Sequence, residues 1–380
     1  MSNKLTFGMV GGGNKGFIGN VHRIAAQFDD LALLQAGCFT RNKEENARTA
    51  ERWDLADTAR LYDDYASMAE AEGRRKDGID FVIIATPNDT HFEIAMAFME
   101  NGIHIMCDKP LALTSEQAEV LARTAKEKDL LFGVTYVYTG YAMIRQAREM
   151  IDHGEIGNIQ SVLGEYPQEW LAVSLVSDRS EQAAWRMDPK RSGASGCAAD
   201  IGTHVECLLS RMTGLELEAV LARFDHYPPH LPLETNVQAM LRFQGNIPGM
   251  LWTSQVAMGH ETDVCIRVFG DKGAIEWNHS TPGVLKVARI NQPVQHYTAG
   301  RDFLYDAARD LCRLPSGHVE GFYEAFANLY LGFCKNLIAK KAGRDPGTYR
   351  YPTVEDGVQG VRFVEACIRS NENNNIWVEV

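Results

Sequence analysis

Positive charge is scarce in this sequence. Against 50 Asp and Glu there are 38 Lys and Arg, a formal net charge of −12 over 380 residues. A nucleic-acid partner calls for a basic face, so none is expected. The eight cysteines, at positions 38, 107, 197, 207, 265, 312, 334 and 367, include no C-x-x-C pair, and none is spaced from a histidine as zinc requires. Buried, reduced thiols and no metal site are therefore expected. No apolar run approaches the roughly 18 residues of a membrane span. No charged segment with a long apolar stretch precedes the first strand, so no export signal is read. These absences predict a cytoplasmic protein that does not associate with membranes. Internal repeats are lacking too.

What is present is the composition of an ordinary globular chain, 45% hydrophobic and 23% charged, with length enough for two cores. The first third alternates strand and helix. A strand over 6–10 runs into Gly11-Gly12-Gly13, and Ile18, Val21, Ala25 and Phe28 then recur at helical intervals. Asn42 with Glu45 three residues on is a helix-start signature. Phe81-Val82-Ile83-Ile84-Ala85 is apolar throughout, as a parallel strand covered on both faces must be. Beyond about residue 150 the period changes to two: Val237, Ala239, Leu241 and Phe243 alternate with more polar residues, and so do Val264, Ile266 and Val268. Gly270-Asp271-Lys272-Gly273 reads as a hairpin connection. Late helices are expected over 321–340 and 354–370. The fold class is α/β plus α+β: a Rossmann domain over 1–135, then a domain over 136–380 with a large, mostly antiparallel sheet. The C-terminal helix is expected to pack back on the first domain.

Gly11, Gly13 and Gly16 satisfy G-x-G-x-x-G directly after a strand and before an amphipathic helix opening with Phe17 and Ile18. Such a turn lets backbone N–H groups approach a pyrophosphate, and the helix N-terminus adds a favourable dipole. Asn14 lies within the same turn. An acid at the end of the second strand would select NAD over NADP. Here that strand ends in Thr40 and Arg41, which leaves the two cofactors open.

Ala85-Thr86-Pro87-Asn88 with His91, then Cys107-Asp108-Lys109-Pro110, then Gly193-Ala194-Ser195-Gly196 followed by Asp200-Ile201-Gly202-Thr203-His204, follow the glycine turn in order. Together with Thr353-Val354-Glu355-Asp356-Gly357 they resemble the Gfo/Idh/MocA family over essentially the whole chain. The resemblance implies an open-faced sheet in the second domain and a homodimer or homotetramer. It implies NAD as cofactor, with NADP not excluded, held by the glycine turn and by Thr86, Pro87, Asn88, His91, Asp108 and Lys109. It also implies a catalytic set of Lys109, Asp200 and His204. The chemistry suits these residues: an imidazole titrates near working pH, and an ammonium stabilises charge developing on an alcohol oxygen. Four residues apart, Asp200 and His204 would share one face of a helix.

Two departures stand out. Asp108 occupies a position where the family usually has glutamate, and Tyr136 to Tyr141 replaces a common Asn-Arg-Phe segment. Tyr136 and Tyr138 are candidates to take over substrate contacts, as are Trp185, Arg186 and His318. Three functions fit these residues. The first is a dehydrogenase acting on a carbinol carbon of a sugar, glycoside or inositol-like cyclic polyol. The second is a redox-neutral glycosidase acting through transient oxidation of a sugar hydroxyl. The third is a non-catalytic dinucleotide-binding regulator.

Overall fold

The computed structural model describes residues 4–13, 16–55, 57–177, 186–345 and 350–380. They form two compact units. The first comprises Met1–Ala112, Glu116–Val137 and Phe322–Val358, and the second Leu113–Ser115, Tyr138–Gly321 and Gln359–Val380.

In the first unit, β1 (Leu5–Gly11), α1 (Phe17–Gln27), β2 (Ala32–Cys38), α2 (Lys43–Arg52), α3 (Tyr65–Arg74), β3 (Phe81–Ala85), α4 (His91–Glu100), β4 (His104–Cys107), α5 (Ser115–Glu127) and β5 (Phe132–Val134) follow one another. The sheet is parallel in the order β2-β1-β3-β4-β5. β3 sits at its centre with every residue buried, which is why it tolerates no polar position. Asn42 caps α2 as its spacing predicts, its side chain accepting the Glu45 N–H at 3.0 Å. The helix Phe322–Lys341 joins this unit by packing on α1, with Phe17 stacked on Phe322 at 6.1 Å between ring centres. Phe333 and Leu329 of the same helix are buried, Phe333 meeting Phe81 at 5.2 Å.

The second unit is built on a nine-stranded sheet in the order β13-β12-β11-β10-β6-β9-β8-β7-β14. Its strands are β6 (Ile159–Pro167), β7 (Leu217–Asp225), β8 (Asn236–Phe243), β9 (Ile247–Ser254), β10 (Cys265–Gly270), β11 (Gly273–Asn278), β12 (Val284–Arg289), β13 (Gln295–Thr298) and β14 (Val378–Glu379). All neighbours are antiparallel except β6 and β9. The hairpin between β10 and β11 forms where the glycines place it, Phe269 pairing with Ala274. Along β8 the predicted alternation is realised: Val237, Ala239, Leu241 and Phe243 are buried while Gln238 and Met240 are exposed. No helix among the described residues is long and apolar enough to cross a membrane.

Candidate active site

The glycine turn lies at the carboxyl edge of the parallel sheet. Gly11 pairs with Ala85, so the turn and the Thr86-Pro87-Asn88 loop leave adjacent strands side by side. Gly11 and Gly12 have φ of +82° and +73°, a left-handed conformation that side chains disfavour. A Cβ on Gly11 would meet the Ala85 carbonyl oxygen at 2.5 Å, and one on Gly12 would meet the Gly19 Cα at 2.6 Å. Gly13 ties the turn to the end of β2, its N–H donating to the Phe39 carbonyl at 3.2 Å, next to Thr40. Thr40 is half-buried and Arg41 exposed. Bare backbone at a helix N-terminus, with Phe17 (64% exposed) and Ile18 opening that helix, is a cradle that fits a dinucleotide pyrophosphate. Asn14 lies outside the described residues.

Gly16 precedes α1, and a Cβ there would find its nearest atom, the Gly13 carbonyl oxygen, at 3.4 Å, an ordinary contact. The close helix–strand approach belongs instead to Gly19, where a Cβ would lie 2.0 Å from the Gly12 carbonyl oxygen. A further glycine at the third residue of α1 was the available signal.

His91, expected to reach the dinucleotide, is fully buried, and both ring nitrogens face main-chain carbonyls: Pro110 at 2.8 Å and Thr86 at 2.9 Å. It therefore staples the Thr86 loop to the Lys109-Pro110 loop instead of offering itself to a ligand. Asp108 leaves β4 next, its Oδ1 accepting the Lys109 N–H and the Thr135 hydroxyl, each at 2.9 Å. Burial pushes the Asp108 pKa upward, but the His22 imidazole and the Lys109 ammonium outweigh it and hold the carboxyl well below the usual range. Lys109 is half-buried, and Tyr136, expected as a substrate wall, is fully buried.

In the second unit the chain approaches Asp200 through Ser195-Gly196-Cys197-Ala198, which closes around a buried carboxylate. Glu234 accepts the Ser195 hydroxyl at 2.6 Å, the Gly196 N–H at 3.0 Å and the Ala198 N–H at 2.9 Å. Burial pushes its pKa up against these hydrogen bonds. The acid holds the donors that open the segment Ala198–Gly202, as an anion at a helix start does. That segment winds as a π-helix, the Thr203 N–H bonding the Ala198 carbonyl five residues back, before the α-helix Thr203–Thr213 begins. The regular helical spacing expected between Asp200 and His204 is thus widened by one residue per turn, a distortion that recurs at functional sites.

Asp200 Oδ2 accepts the Gln255 amide at 2.8 Å and lies 3.7 Å from Arg186 Nε. The Arg186 guanidinium sits 5.5 Å over the Trp170 ring. Trp185, a candidate for substrate contact, lies outside the described residues. His204 is 6% exposed and meets the Tyr138 ring edge-to-face at 5.1 Å. The Tyr138 and Tyr166 hydroxyls are 2.5 Å apart. Burial, with Asp200 acting in the same direction, raises both phenols far above their usual pKa, so both keep their protons at neutral pH. His318 is exposed, its Nδ1 3.2 Å from the Pro315 carbonyl in a surface turn. Glu320 accepts the N–H groups of Arg313 and Leu314 at 2.5 and 2.7 Å in the same region.

A glycine cradle on a parallel sheet, followed by a second unit with an acid and a histidine on one helical segment, defines a dinucleotide-dependent oxidoreductase. The chain belongs to the Gfo/Idh/MocA oxidoreductase family. Residues 5–136 match the oxidoreductase family with NAD-binding Rossmann fold, and residues 144–276 match the GFO/IDH/MocA C-terminal domain. An uncharacterised oxidoreductase of Bacillus subtilis, YfiI, is 34% identical over 100% of this chain and 98% of its own. Levoglucosan dehydrogenase of Pseudarthrobacter phenanthrenivorans is 29% identical over 99% and 98%. The crystal structure of an inositol dehydrogenase homologue from Azotobacter vinelandii in complex with NAD+ superposes with a TM-score of 0.95 at 35% identity, covering 100% of this chain and 98% of that one.

Proposed function

We propose that this chain is an NAD-dependent dehydrogenase acting on a secondary hydroxyl of a cyclic polyol, either an inositol or a pyranose-type sugar. The observation that carries the reading is the cluster around Asp200: a carboxylate bonded to Gln255, flanked by the Arg186 guanidinium stacked on Trp170, in the helical segment that leads to His204. A polyol offers what such a cluster binds, vicinal hydroxyls for the acid and the guanidinium and an apolar ring face for the indole.

The backbone of Gly11 to Gly13 and the start of α1 would hold the dinucleotide, with Thr86, Pro87, Asn88 and Asp108 beside it. When bound, the nicotinamide supplies the hydride acceptor, or the donor in the reverse direction. His204 takes the hydroxyl proton as general base, its ring steadied by Tyr138. Lys109, by the family resemblance, stabilises negative charge developing on a substrate oxygen. Asp200 accepts a hydrogen bond from a neighbouring hydroxyl and so orients the ring.

We further infer a homo-oligomer formed through the sheet. Met240 and Met250 pair directly across β8 and β9 and are 52% and 58% exposed, an apolar centre that a second copy would cover.

The test is a panel of inositols, sugars and glycosides assayed with NAD and NADP for growth of absorbance at 340 nm. His204→Ala should lose about 10²–10⁴-fold in kcat with dinucleotide affinity preserved. Lys109→Ala should slow turnover more than it weakens dinucleotide binding. Glycoside cleavage without net NADH would replace this reading with the redox-neutral one. Dinucleotide binding with neither activity would leave a regulator.

A further inference from the structure

One buried histidine in the first unit acts on Asp108 but was given no step in the reaction above. His22 lies on α1, fully buried, with Nδ1 2.6 Å from the hydroxyl of Tyr330. Tyr330 is itself 1% exposed, and burial raises its phenol well above the usual pKa, so the hydroxyl keeps its proton. Phe326 meets the imidazole edge-on at 5.2 Å and limits its rotation. The other ring nitrogen, Nε2, is closed off from solvent and makes no hydrogen bond among the described residues. The group it faces is Asp108, whose Oδ1 is 3.9 Å away.

These contacts fix the tautomer. A carboxylate can only accept, so a lone pair on Nε2 would be repelled there, whereas an N–H is attracted. With the proton on Nε2, Nδ1 becomes the acceptor and the Tyr330 hydroxyl the donor. The chain of polarity therefore runs from Tyr330 through His22 to Asp108. A separation of 3.9 Å is too long for a hydrogen bond, but a buried N–H dipole and a carboxylate attract at that range. The same Oδ1 also receives the Lys109 N–H.

We propose that His22 and Tyr330 are positioning residues of the reaction: by presenting Nε2–H to Asp108 they fix the carboxylate that holds the Lys109 main chain, and through it the direction in which the Lys109 ammonium is offered to a substrate oxygen. The inference rests on the role given to Lys109 above, and it extends the site to two residues 308 positions apart in the sequence.

The experiment compares Tyr330→Phe, which removes only a hydroxyl, His22→Gln, which keeps a terminal N–H donor, His22→Phe, which does not, and Asp108→Asn, alone and combined. Tyr330→Phe and His22→Phe should lower kcat about tenfold, a coupling ordinary for contacting residues. The NADH dissociation constant should change less than about twofold, and His22→Gln should recover most of the loss. Combined with Asp108→Asn, Tyr330→Phe should cost nothing further. Independent, multiplying effects, or unchanged kcat in folded Tyr330→Phe, overturn the proposal. A second readout needs no substrate: in the full-length protein with ¹⁵N-labelled histidine, His22 should show the Nε2–H tautomer, its Nδ1 resonance moving in Tyr330→Phe. An Nδ1–H tautomer overturns the proposal. Inertness toward every polyol with the Nε2–H tautomer in place supports the network and overturns the dehydrogenase reading instead.

Discussion

Replacing Gly19 by alanine is the sharpest test of the cofactor cradle. The new Cβ would sit 2.0 Å from the Gly12 carbonyl oxygen and 2.2 Å from its Cα, both main-chain atoms that no rotamer change can move aside. Reaching an ordinary contact of 3.4 Å requires a displacement of 3.4 − 2.0 = 1.4 Å between α1 and the turn. Overpacking of this kind costs about 1–3 kcal/mol, and the rigid partner puts Gly19→Ala at the upper end. A domain of this size should lose about 2–4 °C in Tm per kcal/mol. Binding should suffer more, because the N-terminus of α1, which would hold the pyrophosphate, is part of the displaced helix. NADH titration by fluorescence should therefore give a raised Kd, each tenfold increase corresponding to about 1.4 kcal/mol of lost binding. Gly16→Ala is the control, with its nearest contact at 3.4 Å, and should bind within a few-fold of the parent. If Gly19→Ala bound NADH normally while Gly16→Ala did not, the assignment of the tight approach would be refuted.

Three further outcomes are expected. Glu234 has a raised pKa, so its contribution to stability is complete below its unfolded-state pKa of about 4.3 and is lost as pH rises through the folded value. The Tm advantage of the parent over Glu234→Gln should accordingly be larger at acid pH than at neutral pH, and a difference that grows with pH would contradict this. Trp170→Ala should raise KM for the polyol about fivefold, the equivalent of about 1 kcal/mol of cation–π stacking under Arg186, with kcat nearly unchanged. Met240→Glu should place a charge at the centre of the exposed sheet face and lower the molar mass found by light scattering; an unchanged mass would remove this face as the interface.

The elements of the fold were legible where local pattern decides them. The unbroken apolar run of β3, the alternation along β8 and the Asn42 cap each report a period or a spacing confined to about ten residues, and each appears as read. The glycine turn was visible too, but its tight contact fell on Gly19, because the steric demand depends on where α1 crosses β1 and not on motif spacing. The supporting groups were not legible. Glu234 reaches Gly196 from 38 residues away, Gln255 reaches Asp200 from 55, and Tyr330 reaches His22 from 308. No periodicity links such pairs; only the tertiary path of the chain does. His91 shows the converse: its place in the motif was plain, and its partners, two carbonyl oxygens, carry no sequence signature.

The first unit is assembled from chain segments that lie far apart, its sheet complete by Val134 while the helix covering α1 starts at Phe322. During synthesis, at ~5–20 residues per second, Tyr330 emerges ~15–60 s after His22. For that interval the nascent sheet carries α1 with one apolar flank bare, and maturation of the nucleotide fold must wait until the helix Phe322–Lys341 has been synthesised.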